Sequence, residues 1–279
     1  MALIKKIVKF FVPHGLVILY EYVKHYFRAK QRTLNINNFE KLQNNLQNLS
    51  IKRFNYENAL ILLTKLGLDE EQIRAGSIPE VHLDFIKEEL NKTYLQKKDL
   101  VVLHIGNFVG LSLSYIADYL INRNSNNVLI GIDPNLEHRG IKNPSYYVKL
   151  LLSNYNLDGI VLLIDGFSFK KNLRNDGGYL YSDNIKIDTE YGCYNALENL
   201  YKIGNQKIDI CMIDGNHFEE YLIGEIQNIT PQLTDGAILI LDDVKSWRDV
   251  RNVFMELQKN RKFLLIAENE RIGIFQYSK

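Results

Sequence analysis

From residue 100 onward the apolar positions fall into short unbroken runs. "LVVLHIG" (100–106), "VLIGID" (128–133), "GIVLLID" (159–165), "IDICMID" (208–214) and "AILILDD" (237–243) share this form. Runs of that length without alternation suit strands buried on both faces. Between them, at 110–122, 144–155, 190–203 and 218–229, apolar residues recur at helical spacing. Strand–helix alternation predicts an α/β, Rossmann-like domain with a mainly parallel sheet and helices on both faces. Two last runs, "FLLIAE" (263–268) and "RIGIFQY" (271–277), lie only a few residues apart and should pair as an antiparallel hairpin.

Residues 1–97 read as a helical N-terminal extension and 98–279 as the α/β domain. "NNFEKLQNNLQNL" and "NYENALILLTKLGL" carry helical spacing. "DEEQIRAGSIPEVHLDFIKEEL" opens on acids, turns at Gly76 to Pro79 and resumes as a helix from about Glu80. The first stretch, "MALIKKIVKFFVPHGLVILYEYVKHYF", is apolar and aromatic but interrupted by Lys5, Lys6, Lys9, Lys24, His25 and Arg28. No apolar run in it reaches the roughly 20 residues of a membrane span, and no small-residue cleavage site follows a clean apolar core. Two amphipathic helices broken near Pro13 fit better. Several places stay open for the N-terminal extension: the protein's own core, a partner copy in a homo-oligomer, a cap over the substrate, and peripheral contact with an anionic membrane surface.

Charge and cysteine content narrow the setting. The net charge is +1, which gives no field for nucleic acid. Only Cys193 and Cys211 are present, with no disulfide or zinc spacing, as expected for a reducing cytoplasm.

Four strands stop on an acid: Asp133, Asp165, Asp214 and Asp242. Ligands of open α/β sheets bind outside the carboxyl ends of the strands. Carboxylates gathered along one edge need a cation or hydrogen-bond donors. "HIGNFVGLS" (104–112) follows the first strand and opens a helix. Gly106 permits a tight turn there, and Gly110 would let the backbone approach a ligand at the helix N-terminus. Asp133, ending the next strand, is placed to accept hydrogen bonds from two ribose hydroxyls. Residue 108 is Phe, so the dinucleotide fingerprint is broken, and no phosphate-binding G-x-x-x-x-G-K-[ST] loop exists. A nucleoside ligand without a pyrophosphate remains. The stretch "IDGNHFEE" (213–220) is either a polar strand-to-helix turn or the mouth of an active site.

Taken together, "VVLHIGNFVG", "GIDPN", "DICMIDGNHFEEYL" and "GAILILDDV" resemble the successive motifs of class I S-adenosylmethionine-dependent methyltransferases. Within these the chain is most similar to the metal-dependent sugar O-methyltransferases that include the macrocin and mycinamicin enzymes. The resemblance covers about residues 98–279. It implies a seven-stranded sheet whose last hairpin is reversed. It also implies S-adenosylmethionine lying over the turn of Gly106, Asn107, Gly110 and Ser112, with Asp133 and Pro134 at the ribose. Phe167 and Ser168 of "DGFS" (165–168) match the adenine contacts. By the same likeness Asp214, Asp242 and Asp243 bind Mg²⁺ or another divalent cation, Asp214 also touches the cofactor and is catalytic with His217, and His217 is the base. Three hard oxygen ligands suit such an ion, which would lower the pKa of a sugar hydroxyl. Two departures stand out. His104 occupies a place where the family usually has Glu, which passes recognition of the methionine end to another residue, with "AGSIPE" (75–80) as candidate. Asn216 cannot act as a base where some members have an acid.

The expected function is therefore methylation of a sugar or glycan hydroxyl, in the setting of surface polysaccharide synthesis such as capsule or lipopolysaccharide. The location would be the cytoplasm or the inner face of its membrane. Small-molecule or natural-product O-methylation and a non-catalytic S-adenosylmethionine-binding protein are the alternatives. The polar, Tyr- and Asn-rich segment 169–192 is long for a strand-to-helix connection and is expected to be a lid over the acceptor. Trp247 is a candidate for lining the same pocket.

Overall fold

A computed structural model describes residues 53–94, 99–123, 126–169, 195–203 and 207–279. The expected N-terminal helices before residue 53 and most of the expected lid lie outside these residues.

The apolar runs form seven strands: β1 (Val101–Ile105), β2 (Val128–Asp133), β3 (Val161–Asp165), β4 (Ile208–Ile213), β5 (Leu233–Leu241), β6 (Phe263–Glu268) and β7 (Gly273–Tyr277). Their order in the sheet is β3-β2-β1-β4-β5-β7-β6. The first five pair in parallel, and β7 pairs antiparallel with both β5 and β6, as the sequence pattern predicts. The chain builds outward from β1 to β3 and then returns to place β4 on the other side of β1. That reversal opens a crevice at the carboxyl ends of β1 and β4.

Strand alternation explains why the runs are unbroken. Val102, Ile210, Met212, Ile238, Ile240 and Ile274 face one core. Leu103, Ile105, Cys211, Ile213, Leu239, Leu241 and Phe275 face the other. The first core is covered by α1 (Tyr56–Lys65), α2 (Glu70–Ala75), α3 (Glu80–Thr93), α4 (Leu111–Arg123) and α5 (Pro144–Asn154). The second is covered by α6 (Ala196–Ile203), α7 (Glu219–Ile229) and α8 (Arg248–Lys259). Each fully buried aliphatic side chain contributes about 1.5–3 kcal/mol relative to exposure.

Local signals set several helix starts. The Asn55 and Asp69 side chains accept the N–H groups of Asn58 and Gln72, capping α1 and α2. Pro144 opens α5, where its missing N–H costs nothing. The compact unit carrying the sheet runs from Arg53 to Lys279, so the division expected near residue 97 falls inside it. Among the described residues, no helix is long and apolar enough to cross a membrane.

Candidate active site

The turn after β1 is built by close backbone approach. Gly106 has φ +88°, and a Cβ there would lie 1.9 Å from the carbonyl oxygen of Asp214. Only glycine fits, because the ends of β1 and β4 touch. Gly110 has φ +91°, and its Cβ would lie 3.0 Å from Val148 Cα on α5. The absence of a side chain at Gly110 therefore serves helix packing.

Asp133 fastens this turn to β2. Its Oδ2 accepts the N–H groups of Asn107 (2.8 Å) and Phe108 (3.1 Å), and its Oδ1 accepts Asn135 N–H (2.7 Å). Burial raises its pKa, and the three N–H donors oppose that rise. Oδ2 is saturated, whereas Oδ1 keeps one acceptor position.

A cleft opens above these strand ends, enclosing about 1080 Å³ of empty space together with its mouth. Gly106, Phe108, Asp133 and Pro134 line one part of it, Phe167, Ser168, Tyr221 and Glu225 another, and Asp214, His217, Asp243, Trp247 and Arg271 a third. Ser168 Oγ donates to Glu225 Oε1 and lies 3.3 Å from the Tyr221 hydroxyl. Among the described residues the buried Glu225 Oε2 has no hydrogen-bond partner, and burial pushes this carboxyl up to about 8 despite the Ser168 hydrogen bond.

At the third part, acids meet a guanidinium. Arg271 donates to Asp242 in bidentate fashion, Nε to Oδ1 and Nη2 to Oδ2, both at 2.6 Å. Arg271 Nε is also 3.5 Å from Asp243 Oδ1. Burial works against the Arg271 charge, but the pairing with Asp242 outweighs it and raises its pKa. Asp214 is driven well above the usual carboxylate range by burial and by the neighbouring Asp242. The second Asp243 oxygen, Oδ2, stands 3.5 Å from His217 Nε2. The imidazole stacks on Trp247 with ring centroids 4.9 Å apart and planes 25° from parallel. Asp243 adopts φ +56°, and its carbonyl accepts the Ser246 and Trp247 N–H groups, so the turn after β5 carries Trp247 back over His217.

Residues 103–244, just over half of the 279-residue chain, match the family described as Methyltransferase domain. The chain belongs to this methyltransferase family. No curated protein matches it. Solved structures share its fold at low identity. A putative O-methyltransferase from Klebsiella pneumoniae has a TM-score of 0.54 at 13% identity, over 80% of this chain and 90% of that one. An O-methyltransferase from Bacillus cereus in complex with SAH has a TM-score of 0.51 at 13% identity, with the same coverages. The TomG O-methyltransferase of tomaymycin synthesis from Streptomyces achromogenes, in complex with SAM, has a TM-score of 0.53 at 12% identity, over 83% and 93%.

In the methyltransferase, most of the residues singled out from sequence gather at one cleft. Gly106, Asp133, Pro134, Phe167, Ser168, Asp214, His217 and Asp243 line it, as does Trp247. Asn107, Ser112 and Asp242 are buried behind its wall. The Asn107 side chain instead fills the space above Gly131, where a Cβ would meet it at 3.0 Å. His104 is also wholly buried, and burial pulls its imidazole down to about 4, so it is neutral and does not replace the family's acid. Ala75 and Gly76, from the "AGSIPE" stretch, do reach the cleft.

The divalent-cation expectation needs correction. Asp214, Asp242 and Asp243 come together, but both oxygens of Asp242 are taken by Arg271. Among the described residues no group of three or more His, Cys, Asp or Glu side chains could hold a metal ion. The three acids as arranged do not fit Mg²⁺. Among the cleft residues that sequence reasoning missed are Arg271 and Glu225. Arg271 lies outside every motif, in the turn between the last two strands. Glu225 sits mid-helix, where its one signal is an acid on the apolar face of α7.

Proposed function

We propose that this methyltransferase transfers a methyl group from S-adenosylmethionine to a hydroxyl of a sugar or glycan, in surface polysaccharide assembly. The observation that carries the reading is the juxtaposition of His217, Asp243 and Trp247 at the mouth of a cleft whose inner wall suits a nucleoside. Phe167 offers that nucleoside an apolar wall, and Ser168 with the Glu225 carboxyl offers polar groups for a base edge. Asp133 Oδ1 has one acceptor position for a ribose hydroxyl. When bound, S-adenosylmethionine supplies an electrophilic methyl group on a sulfonium.

The chain's own residues would do the rest. The His217 imidazole takes the proton of the acceptor hydroxyl, since an imidazole ordinarily titrates near neutral pH. Asp243, 3.5 Å away, favours the imidazolium that results. Trp247, 36% exposed, fixes the ring plane and presents apolar area to a sugar. The strand ends give the cleft a fixed floor against which the two reactants would be positioned.

The test pairs cofactor binding with turnover. Calorimetry with S-adenosylmethionine is followed by S-adenosylhomocysteine release over a panel of nucleotide sugars, glycans and small phenols. His217→Ala should bind cofactor as the wild type does and lose about 10²–10⁴ in turnover, the usual worth of a general base. Turnover on phenols alone would remove the sugar; undiminished turnover in the variant would remove His217 as the base.

A further inference from the structure

We infer that Arg271 is a built-in cation, occupying by charge the place a divalent metal would take among Asp214, Asp242 and Asp243. The pairing itself is the first support. Two hydrogen bonds of 2.6 Å close a planar fork on Asp242, whose side chain is 0% exposed. Such bidentate geometry is the strongest form of carboxylate recognition. A metal could use Asp242 only by displacing a guanidinium from a buried site.

The second support is that Arg271 is held in place from its backbone outward. Its N–H donates to Asn269 Oδ1 (2.9 Å), which also accepts Ile272 N–H (2.8 Å). Its carbonyl accepts Val244 N–H (2.9 Å), tying the β6–β7 turn to the end of β5. The next residue, Ile272, is wholly buried. A guanidinium anchored in this way is part of the site's architecture.

The third support is position. Arg271 lines the cleft beside Asp243 and His217. A fixed positive charge there would stabilise negative charge growing on an acceptor oxygen, as an ion would, without dissociating. That last role rests on the proposed function; the metal-excluding pairing does not.

The experiment reads metal binding and needs no acceptor. Free Mn²⁺ is followed by electron paramagnetic resonance against wild type, Arg271→Ala and Arg271→Gln, with thermal midpoints recorded with and without Mn²⁺. The wild type should leave the Mn²⁺ signal and its own midpoint unchanged. Each variant should bind one Mn²⁺ at least about tenfold tighter, a difference of about 1.4 kcal/mol, and its midpoint should rise with the ion. A wild type that binds one Mn²⁺, lost in Asp243→Asn, overturns the inference. So do folded variants that bind no better than wild type. Should neither variant fold alone, refolding is repeated with Mn²⁺: recovery of the native circular dichroism supports the assignment, and no recovery overturns it. Failure of every acceptor would sink the proposed function and leave the metal result standing.

Discussion

Glu225 is a carboxyl inside a protein wall, and its chemistry follows from that place. Its usual value of 4.5 rises to about 8 because burial penalises the charged form, with Ser168 pulling the other way. Between these two values the folded state holds a proton that the unfolded state has lost. Stability therefore falls as pH rises through that window, on the order of a few kcal/mol in all. Glu225→Gln should flatten the dependence of the unfolding midpoint on pH between about 4.5 and 8; an unchanged slope would show that the carboxyl is not shielded as described. Asp214 shifts in the same direction, so some slope should persist. At this scale the sequence was partly legible. His217 and the strand-end acids could be found because their positions are set by the strands they terminate. Arg271 could not, because its role depends on Asp242, which lies 29 residues away, and only the sheet brings them together.

Helix α8 shows the same contrast among elements. The parallel strands were legible because burial on both faces demands continuous apolar runs. The register between them was not, since one slip near Ile208 on β4 leaves no mark in composition. The α8 segment, "RDVRNVFMELQK", has apolar residues at 250, 253, 254 and 257, a helical stripe overlooked between the two strand patterns that flank it. That stripe supports the turn that carries Arg271. Phe254 packs on Phe275 with centroids 5.3 Å apart, and a Cβ on Gly273 would meet its ring at 2.4 Å. Phe254→Ala should cost about 3–5 kcal/mol in denaturant unfolding. Met255→Ala, one residue on and 51% exposed, should stay within about 0.5 kcal/mol of wild type. Equal losses at the two positions would mean that α8 does not pack on this face.

For the whole molecule, the question is where the methyltransferase begins. Sequence reading divided it near residue 97, because helical spacing gives way there to strand runs and nothing local shows which surface the helices cover. The first core answers differently. Tyr56, Leu60, Leu63, Leu83, Ile86 and Leu90 are almost wholly buried in the same cluster as Val102, Ile210 and Ile240 of the sheet. Tyr94, at the end of α3, donates its hydroxyl to the carbonyl of Asp209 (2.7 Å), so that helix end is fastened to β4 as well. Removing α1–α3 would uncover the part of the first core that α4 and α5 do not shield, at about 1.5–3 kcal/mol for each large side chain unburied. A domain's whole margin is about 5–15 kcal/mol, so those losses exceed it. The fragment 98–279 should therefore fail to unfold cooperatively, whereas 53–279 should unfold in one transition and bind S-adenosylmethionine. Calorimetric scans of the two fragments decide this. A cooperative transition in the shorter one at the midpoint of the longer would make α1–α3 an appendage, and the cleft would then owe nothing to Ala75 and Gly76.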